Sequence, residues 1–309
     1  MLTALPEPGA ETRVAIVGGG LMGHALAAIF LQAGVNTTVF EADAATREKL
    51  QSRIAATLAE WMGSGAAADC LHVVSTLVEL DPATQLVIEA IPENLALKQK
   101  LFAELESIVP IAILATNSSV YRVGDVAGKM KEPSRAVGTH WWNPPQLIPI
   151  VEVIQGAATR PDVVDWTIRL FTFCGKTPVH VRKDTPGFIG NRLQHALWRE
   201  AFALVEEGVA DAETVDAVAR NTLGMKLRVL GPLENADYVG LDMTNAIHEY
   251  VFPALSRTQT PSPLLTERIK AGKLGAKSGS GLMDWPEGRR AKVAERLAKH
   301  VREQAAKAD

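Results

Sequence analysis

The stretch RVAIVGGGLMGHALAA, residues 13–28, joins an apolar strand to an apolar helix through a glycine-rich turn. Its glycines follow the G-x-G-x-x-G spacing of dinucleotide-binding turns. The first glycine permits the tight turn, the second lets the backbone approach a pyrophosphate, and the third allows the helix to pack closely on the strand. The helix N-terminus then presents unpaired N–H groups to the phosphates. The residues predicted to bind the cofactor here are Gly18, Gly20, Leu21, Met22 and Gly23.

A glutamate after the second apolar run predicts which dinucleotide binds. The run Asn36–Phe40 is followed by Glu41, Ala42 and Asp43, with no arginine directly after the acid. A carboxylate at this position can accept hydrogen bonds from both ribose hydroxyls of NAD, and it would repel the 2′-phosphate of NADP. We therefore predict NAD as the cofactor. The alternative is a purely structural glycine turn with a surface glutamate.

The composition of the 309-residue chain narrows the functional classes. Hydrophobic residues make up 47% and charged residues 22%, as in ordinary globular proteins. A formal charge of −3 gives no electrostatic reason to bind nucleic acid or an anionic membrane. The N-terminus is expected to be a short tail and not a signal peptide, and no apolar run is as long as a membrane helix.

The cysteines and histidines predict the compartment and argue against a metal. Cys70 and Cys174 are expected to be small buried residues of a reducing compartment, which favours the cytoplasm. The histidines follow no metal-binding spacing, so no metal is predicted.

Short β-rich runs alternate with helical stretches up to Arg182, and only helical patterns follow. This predicts an α/β fold, with a Rossmann-type parallel sheet domain over residues 1–184 and a smaller all-α domain over 185–309. Thr185 as N-cap and Pro186 at the first helical position are expected to begin the long first helix of the second domain. The predicted strands are Arg13–Gly18, Asn36–Phe40, Cys70–Val74, Gln85–Ala90, Ile111–Thr116, Arg135–Thr139, Leu147–Ile154 and Pro178–Arg182. The predicted helices cover residues 21–33, 43–61, 93–108, 161–173, 185–208, 211–222, 232–254, 263–271 and 286–307.

A histidine and a glutamate are the candidates for acid–base chemistry. His140 ends the strand pattern RAVGTH, and Glu152 lies inside the apolar run LIPIVEVI. Because both faces of that run are apolar, the carboxylate is expected to be buried, and it then needs a donor such as His140. A neutral imidazole held by a carboxylate can take a hydroxyl proton while a hydride leaves for nicotinamide. The spacing leaves open a core histidine bonded to backbone beside an unrelated glutamate.

The segment Asn117-Ser118-Ser119 follows the fifth predicted strand. It therefore lies at the carboxyl edge of the sheet, where ligands bind in such folds. Asn117 is a predicted cofactor-binding residue, and a simple turn is the alternative for this segment.

Seven motifs carry a resemblance to one family. In order they are VGGGLMGHALA, IEAIPENLALKQKLF, TNSSV, GTHWWNPPQLIPIVEVI, KDTPGFIGNR, LGPLENADYVGLD and KLGAKSGSGLMDW. From about Arg13 to Trp285 the chain resembles the L-3-hydroxyacyl-CoA dehydrogenase family. The resemblance implies an NAD-binding domain, a helical dimerisation domain and a homodimer. It also implies site roles: a catalytic pair for His140 and Glu152, binding of the substrate oxygen for Ser119, an active-site position for Asn191, and positions near the cofactor ribose and nicotinamide for Glu93 and Lys98.

Departures from the family pattern concern the substrate. Members that act on CoA esters have a longer, lysine-rich segment between the second helix and the third strand. Residues 44–72 hold only Arg47, Lys49 and Arg53 as cations, so CoA phosphates would find little compensating charge. HWWNPP in place of His-Phe-Phe-Asn-Pro-Val, together with the run LGMKLRVLGPLE, resembles relatives that act on free small acids. These relatives are the gulonate dehydrogenase/lambda-crystallin group, carnitine 3-dehydrogenase and the pyridine-carboxylate 5-dehydrogenase of vitamin B6 breakdown.

In such relatives a cation of this run pairs with the substrate carboxylate, which predicts that role for Lys226, with Arg228 second. Solvated cations at a helix end are the alternative. We therefore predict an NAD-dependent oxidoreductase that oxidises a small 3-hydroxy acid, or a related hydroxy or aldehyde carboxylate. Two other functions stay open: a short-chain L-3-hydroxyacyl-CoA (3-hydroxybutyryl-CoA) dehydrogenase, and a non-catalytic, crystallin-like NAD-binding structural protein.

Overall fold

Eight strands form one sheet in the computed structural model, which describes residues 6–305. They are β1 (Arg13–Val17), β2 (Asn36–Phe40), β3 (His72–Val74), β4 (Leu86–Glu89), β5 (Ile113–Thr116), β6 (Ala136–Trp141), β7 (Ile150–Ile154) and β8 (Thr177–Val181). Their order across the sheet is β3-β2-β1-β4-β5-β6-β7-β8. Each predicted strand is present. The order reverses between β1 and β4, which is the point where ligands bind in sheets of this kind.

One strand pair departs from the predicted parallel arrangement. The strands from β3 to β6 across the sheet pair in parallel, but β7 runs antiparallel to β6, and β8 is parallel to β7. Only residues 142–149 connect β6 to β7. A parallel crossover needs a dozen or more residues, whereas an antiparallel pair can be joined by a short link.

Helices cover both faces of the sheet and are the main element of the chain after β8. The side chains of β1 alternate, so that Ile16 packs in one apolar cluster with Phe30 and Phe171, and Val17 packs in a second cluster with Phe102. Burial on both faces explains why β1 is apolar from Val14 to Val17. The helices are α1 (Gly23–Gln32), α2 (Ala44–Glu48), α3 (Leu50–Met62), α4 (Leu95–Ile108), α5 (Val123–Val126), α6 (Pro161–Phe173), α7 (Gly190–Glu206), α8 (Ala212–Asn221), α9 (Leu223–Lys226), α10 (Pro232–Val239), α11 (Leu241–Val251), α12 (Pro263–Lys270) and α13 (Arg289–Ala305).

The start of α7 corrects a prediction. The helix begins at Gly190 and not at Pro186, so Thr185 is not its N-cap. Gly187 and Phe188 have φ angles of 76° and 50°, in the left-handed region that an α-helix of L residues does not adopt. The chain therefore makes a separate turn before the helix starts.

The cysteine prediction is correct for one residue and wrong for the other. Cys174 is buried, but Cys70 is exposed, because it ends a short 3-10 helix beside β3, an edge strand of the sheet. No helix within residues 6–305 combines the length and apolar character needed to cross a membrane. Residues 1–5 of the predicted tail, and residues 306–307 of the predicted last helix, lie outside the described residues.

The described chain divides into two compact units. The first contains residues up to Asn191 together with 300–305, and the second contains Arg192–Lys299. The first unit holds the whole sheet, and the second is helical. The turn before α7 and the first two residues of that helix thus belong to the unit that contains the sheet.

Candidate active site

The glycine turn after β1 has the space that a dinucleotide needs. Gly18 has a φ angle of 102°, and a Cβ atom on Gly23 would lie 1.7 Å from the carbonyl oxygen of Gly18, so both positions require glycine. A Cβ atom on Gly20 would meet nothing within 4 Å. Gly18 and Gly23 therefore sit where the backbone leaves no room for a side chain, and the space beside Gly20 is open, so that the backbone there can approach a pyrophosphate. These residues fit NAD.

Glu41 lies directly beside this turn. One carboxylate oxygen, Oε2, accepts the N–H of Gly19 at 2.7 Å, and Oε1 accepts the N–H of Asp43 at 2.8 Å. A carboxylate oxygen can accept more than one hydrogen bond, so both keep capacity for a ribose hydroxyl. The arrangement suits the adenosine ribose of NAD.

A cleft of about 690 Å³ opens at the carboxyl edge of the strands, and all its lining residues belong to the first unit. It brings together most of the predicted site residues from five separate segments of the chain. The lining residues among them are Gly20, Leu21, Met22, Glu93, Lys98, Asn117, Ser119, His140 and Asn191.

His140 and Glu152 make direct contact at the cleft. The two residues are register partners across the antiparallel β6–β7 pair, and Nδ1 of the imidazole lies 2.6 Å from Oε2 of the carboxylate. Both side chains are 3% exposed. Since Nδ1 faces an acceptor, it carries the proton, and the neutral ring therefore presents an unprotonated Nε2.

The start of α7 holds the other oxygen of the same carboxylate. Oε1 of Glu152 accepts the N–H groups of Ile189 at 2.8 Å and Gly190 at 3.0 Å. Burial by itself would raise the pKa of Glu152, but the hydrogen bonds from His140 and from these two amides lower it below its ordinary value. Glu152 therefore stays ionised at neutral pH and can stabilise a positive imidazole.

Two aromatic rings flank the imidazole. The ring centroid of His140 lies 5.1 Å from that of Trp142 and 5.6 Å from that of Phe188. Phe188 is the residue with the positive φ angle, and it is 1% exposed. The unusual turn before α7 thus places an apolar ring against His140 and limits the access of water.

A second buried carboxylate lies against Lys98, one of the residues that line the cleft. Glu89, at the end of β4, and Lys98 are each 1% exposed, and their Oε1 and Nζ atoms lie 2.5 Å apart. Glu89 also accepts the Thr116 hydroxyl at 2.8 Å, and Lys98 reaches Oε2 of Glu93 at 3.1 Å. Burial raises the pKa of Glu89, although Lys98 acts to lower it. This network positions Glu93 in the wall of the cleft.

Residues 117–119, which follow β5, are held by hydrogen bonds to three neighbouring segments of the chain. Ser118 donates its hydroxyl to Glu93, and Asn117 Oδ1 accepts the N–H of Trp141 at 3.2 Å. Asn191 Nδ2 donates to the carbonyl oxygen of Ser119 at 3.0 Å. These bonds join the carboxyl ends of β5 and β6 and the start of α7, and the Ser119 hydroxyl is available for a ligand.

Two predicted substrate residues are not among the residues brought together here. Lys226 ends α9 and Arg228 follows two residues later, and both belong to the second unit. Their role stays a prediction.

Glu89, Phe188 and the amides of Ile189 and Gly190 were not predicted. Glu89 could have been found, because it lies in the apolar run LVIEA just as Glu152 lies in LIPIVEVI. Phe188 and the two amides follow from a turn whose only local signal is the pair of glycines in TPGFIG.

The doubly wound sheet, the open glycine turn and the His–Glu cleft define the class of NAD-binding oxidoreductases. Within that class, the family model of the 3-hydroxyacyl-CoA dehydrogenase NAD-binding domain matches residues 13–185, and that of the C-terminal domain matches residues 187–285. The chain belongs to the 3-hydroxyacyl-CoA dehydrogenase family and is an NAD-dependent oxidoreductase.

Two relatives within the family are named for different substrates. The chain is 33% identical over 295 residues to 5-formyl-3-hydroxy-2-methylpyridine 4-carboxylate 5-dehydrogenase of Mesorhizobium japonicum, covering 93% of this chain and 96% of that protein. It is 40% identical over 226 residues to L-carnitine dehydrogenase of Streptomyces griseus, covering 72% and 68% respectively.

The solved structures similar to this chain include one enzyme named for a free acid and one named for a CoA ester. A 5-formyl-3-hydroxy-2-methylpyridine 4-carboxylic acid 5-dehydrogenase, described as an NAD+ dependent dismutase, has a TM-score of 0.87 at 32% identity, covering 95% of this chain and 97% of that one. The (S)-3-hydroxybutyryl-CoA dehydrogenase of Ralstonia eutropha has a TM-score of 0.74 at 30% identity, covering 90% and 100%.

Proposed function

We propose that this oxidoreductase oxidises a small 3-hydroxy acid, or a related hydroxy or aldehyde carboxylate, with His140 and Glu152 as its acid–base pair. The observation that carries the chemistry is the 2.6 Å contact of Glu152 with His140, which lines the same cleft as Gly20 of the glycine turn. NAD, when bound, supplies the acceptor for the hydride that leaves the substrate carbon. Nε2 of His140 takes the proton of the substrate hydroxyl, which for an aldehyde is a hydroxyl of its hydrate, and the ionised Glu152 stabilises the resulting imidazolium.

The neighbouring polar groups orient the substrate in this proposal. The Ser119 hydroxyl donates to the substrate oxygen, and Asn191 supports it by holding the Ser119 carbonyl at 3.0 Å. Glu93 and Lys98 contact the cofactor near its nicotinamide half. Trp142 and Phe188 keep the imidazole out of bulk water, so that the proton passes between substrate and His140.

The cations of residues 44–72 support a free acid over a CoA ester. Arg47 and Arg53 donate to the backbone carbonyls of Glu41 and Gly19 beside the glycine turn. Both guanidinium groups lie at the dinucleotide turn, so Lys49, which is exposed, is the one cation of this segment directed away from that turn that could meet a CoA phosphate. The two relatives above named for a pyridine carboxylate and for carnitine support the same reading. Lys226, with Arg228 second, is proposed to pair with the substrate carboxylate.

The alternative substrate is a short-chain 3-hydroxyacyl-CoA, favoured by the 3-hydroxybutyryl-CoA dehydrogenase that matches the chain. Initial rates of NADH formation on 3-hydroxybutyryl-CoA, 3-hydroxybutyrate, carnitine and a pyridine aldehyde carboxylate separate the two. We expect the highest kcat/KM with one of the free acids. A kcat/KM for 3-hydroxybutyryl-CoA above that of every free acid would overturn the proposal and establish the CoA ester.

A homodimer formed through the second unit, in the cytoplasm, completes the proposal. Helices α8 to α12 contain no fully buried side chain, and Leu233, Tyr238 and Tyr250 are 83%, 81% and 87% exposed. Large exposed apolar surfaces mark sites of protein association. Light scattering should give the mass of a dimer, and Tyr250→Asp should lower it, whereas Val78→Asp in the first unit should not. A wild-type mass of a monomer would contradict this.

A further inference from the structure

Two arginines lie beside the carboxylate that follows β2. Arg47 Nη1 donates to the carbonyl oxygens of Glu41 at 2.8 Å and Ala42 at 3.2 Å. Arg53 Nη1 donates at 3.2 Å to the carbonyl oxygen of Gly19, whose own N–H donates to Glu41 Oε2. The two guanidinium groups therefore reach the ribose end of the cofactor site from α2 and α3.

Both arginines keep hydrogen-bonding capacity and charge for an anion. Within residues 6–305, neither has a carboxylate within the 4.0 Å of an ion pair. Asp43, four residues before Arg47, caps α2 by accepting the N–H of Thr46 at 2.8 Å, and it lies near enough to interact with the charge of Arg47 without forming an ion pair. Among the described residues, the one hydrogen-bond partner of Arg53 Nη2 is Nδ1 of His24, at 3.1 Å. A guanidinium has five N–H donors, and the backbone carbonyls here use few of them.

We propose that Arg47 and Arg53 form a latent site for the 2′-phosphate of the adenosine ribose, which the Glu41 carboxylate alone keeps closed. In the wild-type protein the two arginines brace the turn and offset the charge of Glu41. A 2′-phosphate would have to occupy the space of that carboxylate against its negative charge. Without that charge, the two guanidinium groups can supply the planar sets of N–H donors that suit phosphate oxygens.

Binding of adenosine fragments tests the proposal without any substrate, so its outcome is independent of the proposed reaction. The probes are 2′,5′-ADP and 5′-AMP, which differ by the 2′-phosphate, titrated calorimetrically at about 0.15 M salt to screen distant charges. Glu41→Gln keeps the side-chain shape and one acceptor oxygen, and Glu41→Ser opens more space. We expect each to bind 2′,5′-ADP at least about tenfold more tightly than wild type.

Further substitutions in the Glu41→Ser background identify which residues cause the increased affinity for 2′,5′-ADP. Arg47→Met and Arg53→Met should each remove most of it. Lys49→Met, which loses the same charge from the third cation of the segment, should leave the affinity within about twofold. The proposal would be overturned if neither folded Glu41 variant binds 2′,5′-ADP more tightly than wild type. It would also be overturned if the increase in affinity persists after both arginines are replaced. An equal loss with Lys49→Met would overturn it too, since it would show a general effect of charge.

The wild-type background supplies a second measurement if the Glu41 variants do not fold. There, Arg47→Met and Arg53→Met should weaken the residual binding of 2′,5′-ADP about threefold more than that of 5′-AMP. Equal effects on the two probes would contradict a phosphate site at these arginines.

Discussion

His140 and Glu152 are directly opposed across the β6–β7 pair, and their side chains meet at 2.6 Å although they lie 12 residues apart in the chain. Directly opposed residues of antiparallel strands project from the same face of the sheet. The hairpin therefore brings the acid to the imidazole, and the turn before α7 adds two amide donors to the same carboxylate.

Substitution of the proposed base should remove most of the activity without removing the cofactor. We expect His140→Asn to lower kcat by about 10²–10⁴-fold, the usual contribution of a general base. NAD affinity, measured by fluorescence titration, should change little. His195→Asn, the same change at an exposed position in the second unit, is the control. A His140→Asn variant with activity within threefold of wild type would rule out the acid–base role.

Glu152 should stabilise the fold in a pH-dependent manner. Its pKa is lower in the folded protein than the ordinary value of 4.5, so its stabilisation is complete at neutral pH and is lost as the pH falls through and below that value. Glu152→Gln should cost about 1–3 kcal/mol of unfolding free energy at pH 7, and less at pH 4. Urea denaturation at both pH values measures the difference. Glu48→Gln, at an exposed position, should show neither effect, and a cost for Glu152→Gln that is equal at both pH values would contradict the prediction.

Two glycines of the turn should respond differently to the same methyl group. Gly20→Ala should keep its stability because nothing lies within 4 Å of the added atom, but NAD should bind at least about tenfold more weakly. Gly23→Ala should lose about 1–3 kcal/mol or more, because its Cβ would lie 1.7 Å from the Gly18 carbonyl oxygen. Thermal unfolding and NAD titration of both variants check this. Equal melting temperatures for the two would show that the turn is looser than described.

Lys98 should be essential for the stability of the first unit. Lys98→Met leaves Glu89 buried without its cation, at a cost of about 3–5 kcal/mol. Burial already raises the pKa of Glu89, so the uncharged acid forms more readily there, and the cost should shrink toward pH 5. Denaturant unfolding at pH 7.5 and 5 measures both effects. Lys100→Met, exposed on the same helix, is the control, and a pH-independent cost would argue against Glu89 as the cause.

Lys176 should make the protein more stable at alkaline pH. Its ammonium group donates to the carbonyl oxygens of Pro145, Gln146 and Ile148, and burial lowers its pKa from 10.5 to about 8. Between these values the folded protein has lost the proton that the unfolded chain still binds, so stability rises with pH. At about 1.4 kcal/mol per pKa unit, wild type should gain up to about 3 kcal/mol relative to Lys176→Met.

Denaturation of both proteins at pH 7.5, 9 and 10.5 measures this relative gain, with Lys183→Met as the exposed control. Comparison with Lys176→Met cancels most of the effect of Cys174, whose buried thiol has a pKa raised to about 12 and lowers stability at alkaline pH. A constant difference between the two proteins across this range would refute the assignment.

Most of the strands and the glycine turn were predictable because their signals are local. Most strands are short, mainly apolar runs, and Gly23 meets a steric limit that Gly18 sets within one strand–turn–helix unit. The antiparallel direction of β7 could have been inferred from the short link 142–149, which is too short for a crossover. The start of α7 was missed because TPGF has the residues of a helix start, and only the backbone angles of Gly187 and Phe188 show the separate turn.

The candidate site was predictable in its residue types and much less in its contacts. Burial of Glu152 followed from the apolar run around it, but its three donors come from residues 12, 37 and 38 positions away. Likewise, Arg47 and Arg53 were counted in the sequence as possible partners of CoA, and folding directs both toward the turn that contains Gly19 and the end of β2.

The sequence itself gives the identity of the ionisable groups. It also determines the order of the elements and the dinucleotide turn, because neighbouring residues impose them through backbone sterics and apolar periodicity. The partner of each buried charge, in contrast, is decided by the tertiary structure. A hydrogen bond between distant residues forms only when the strand register and the helix start place both groups within 3 Å or so, and burial then makes any other arrangement costly.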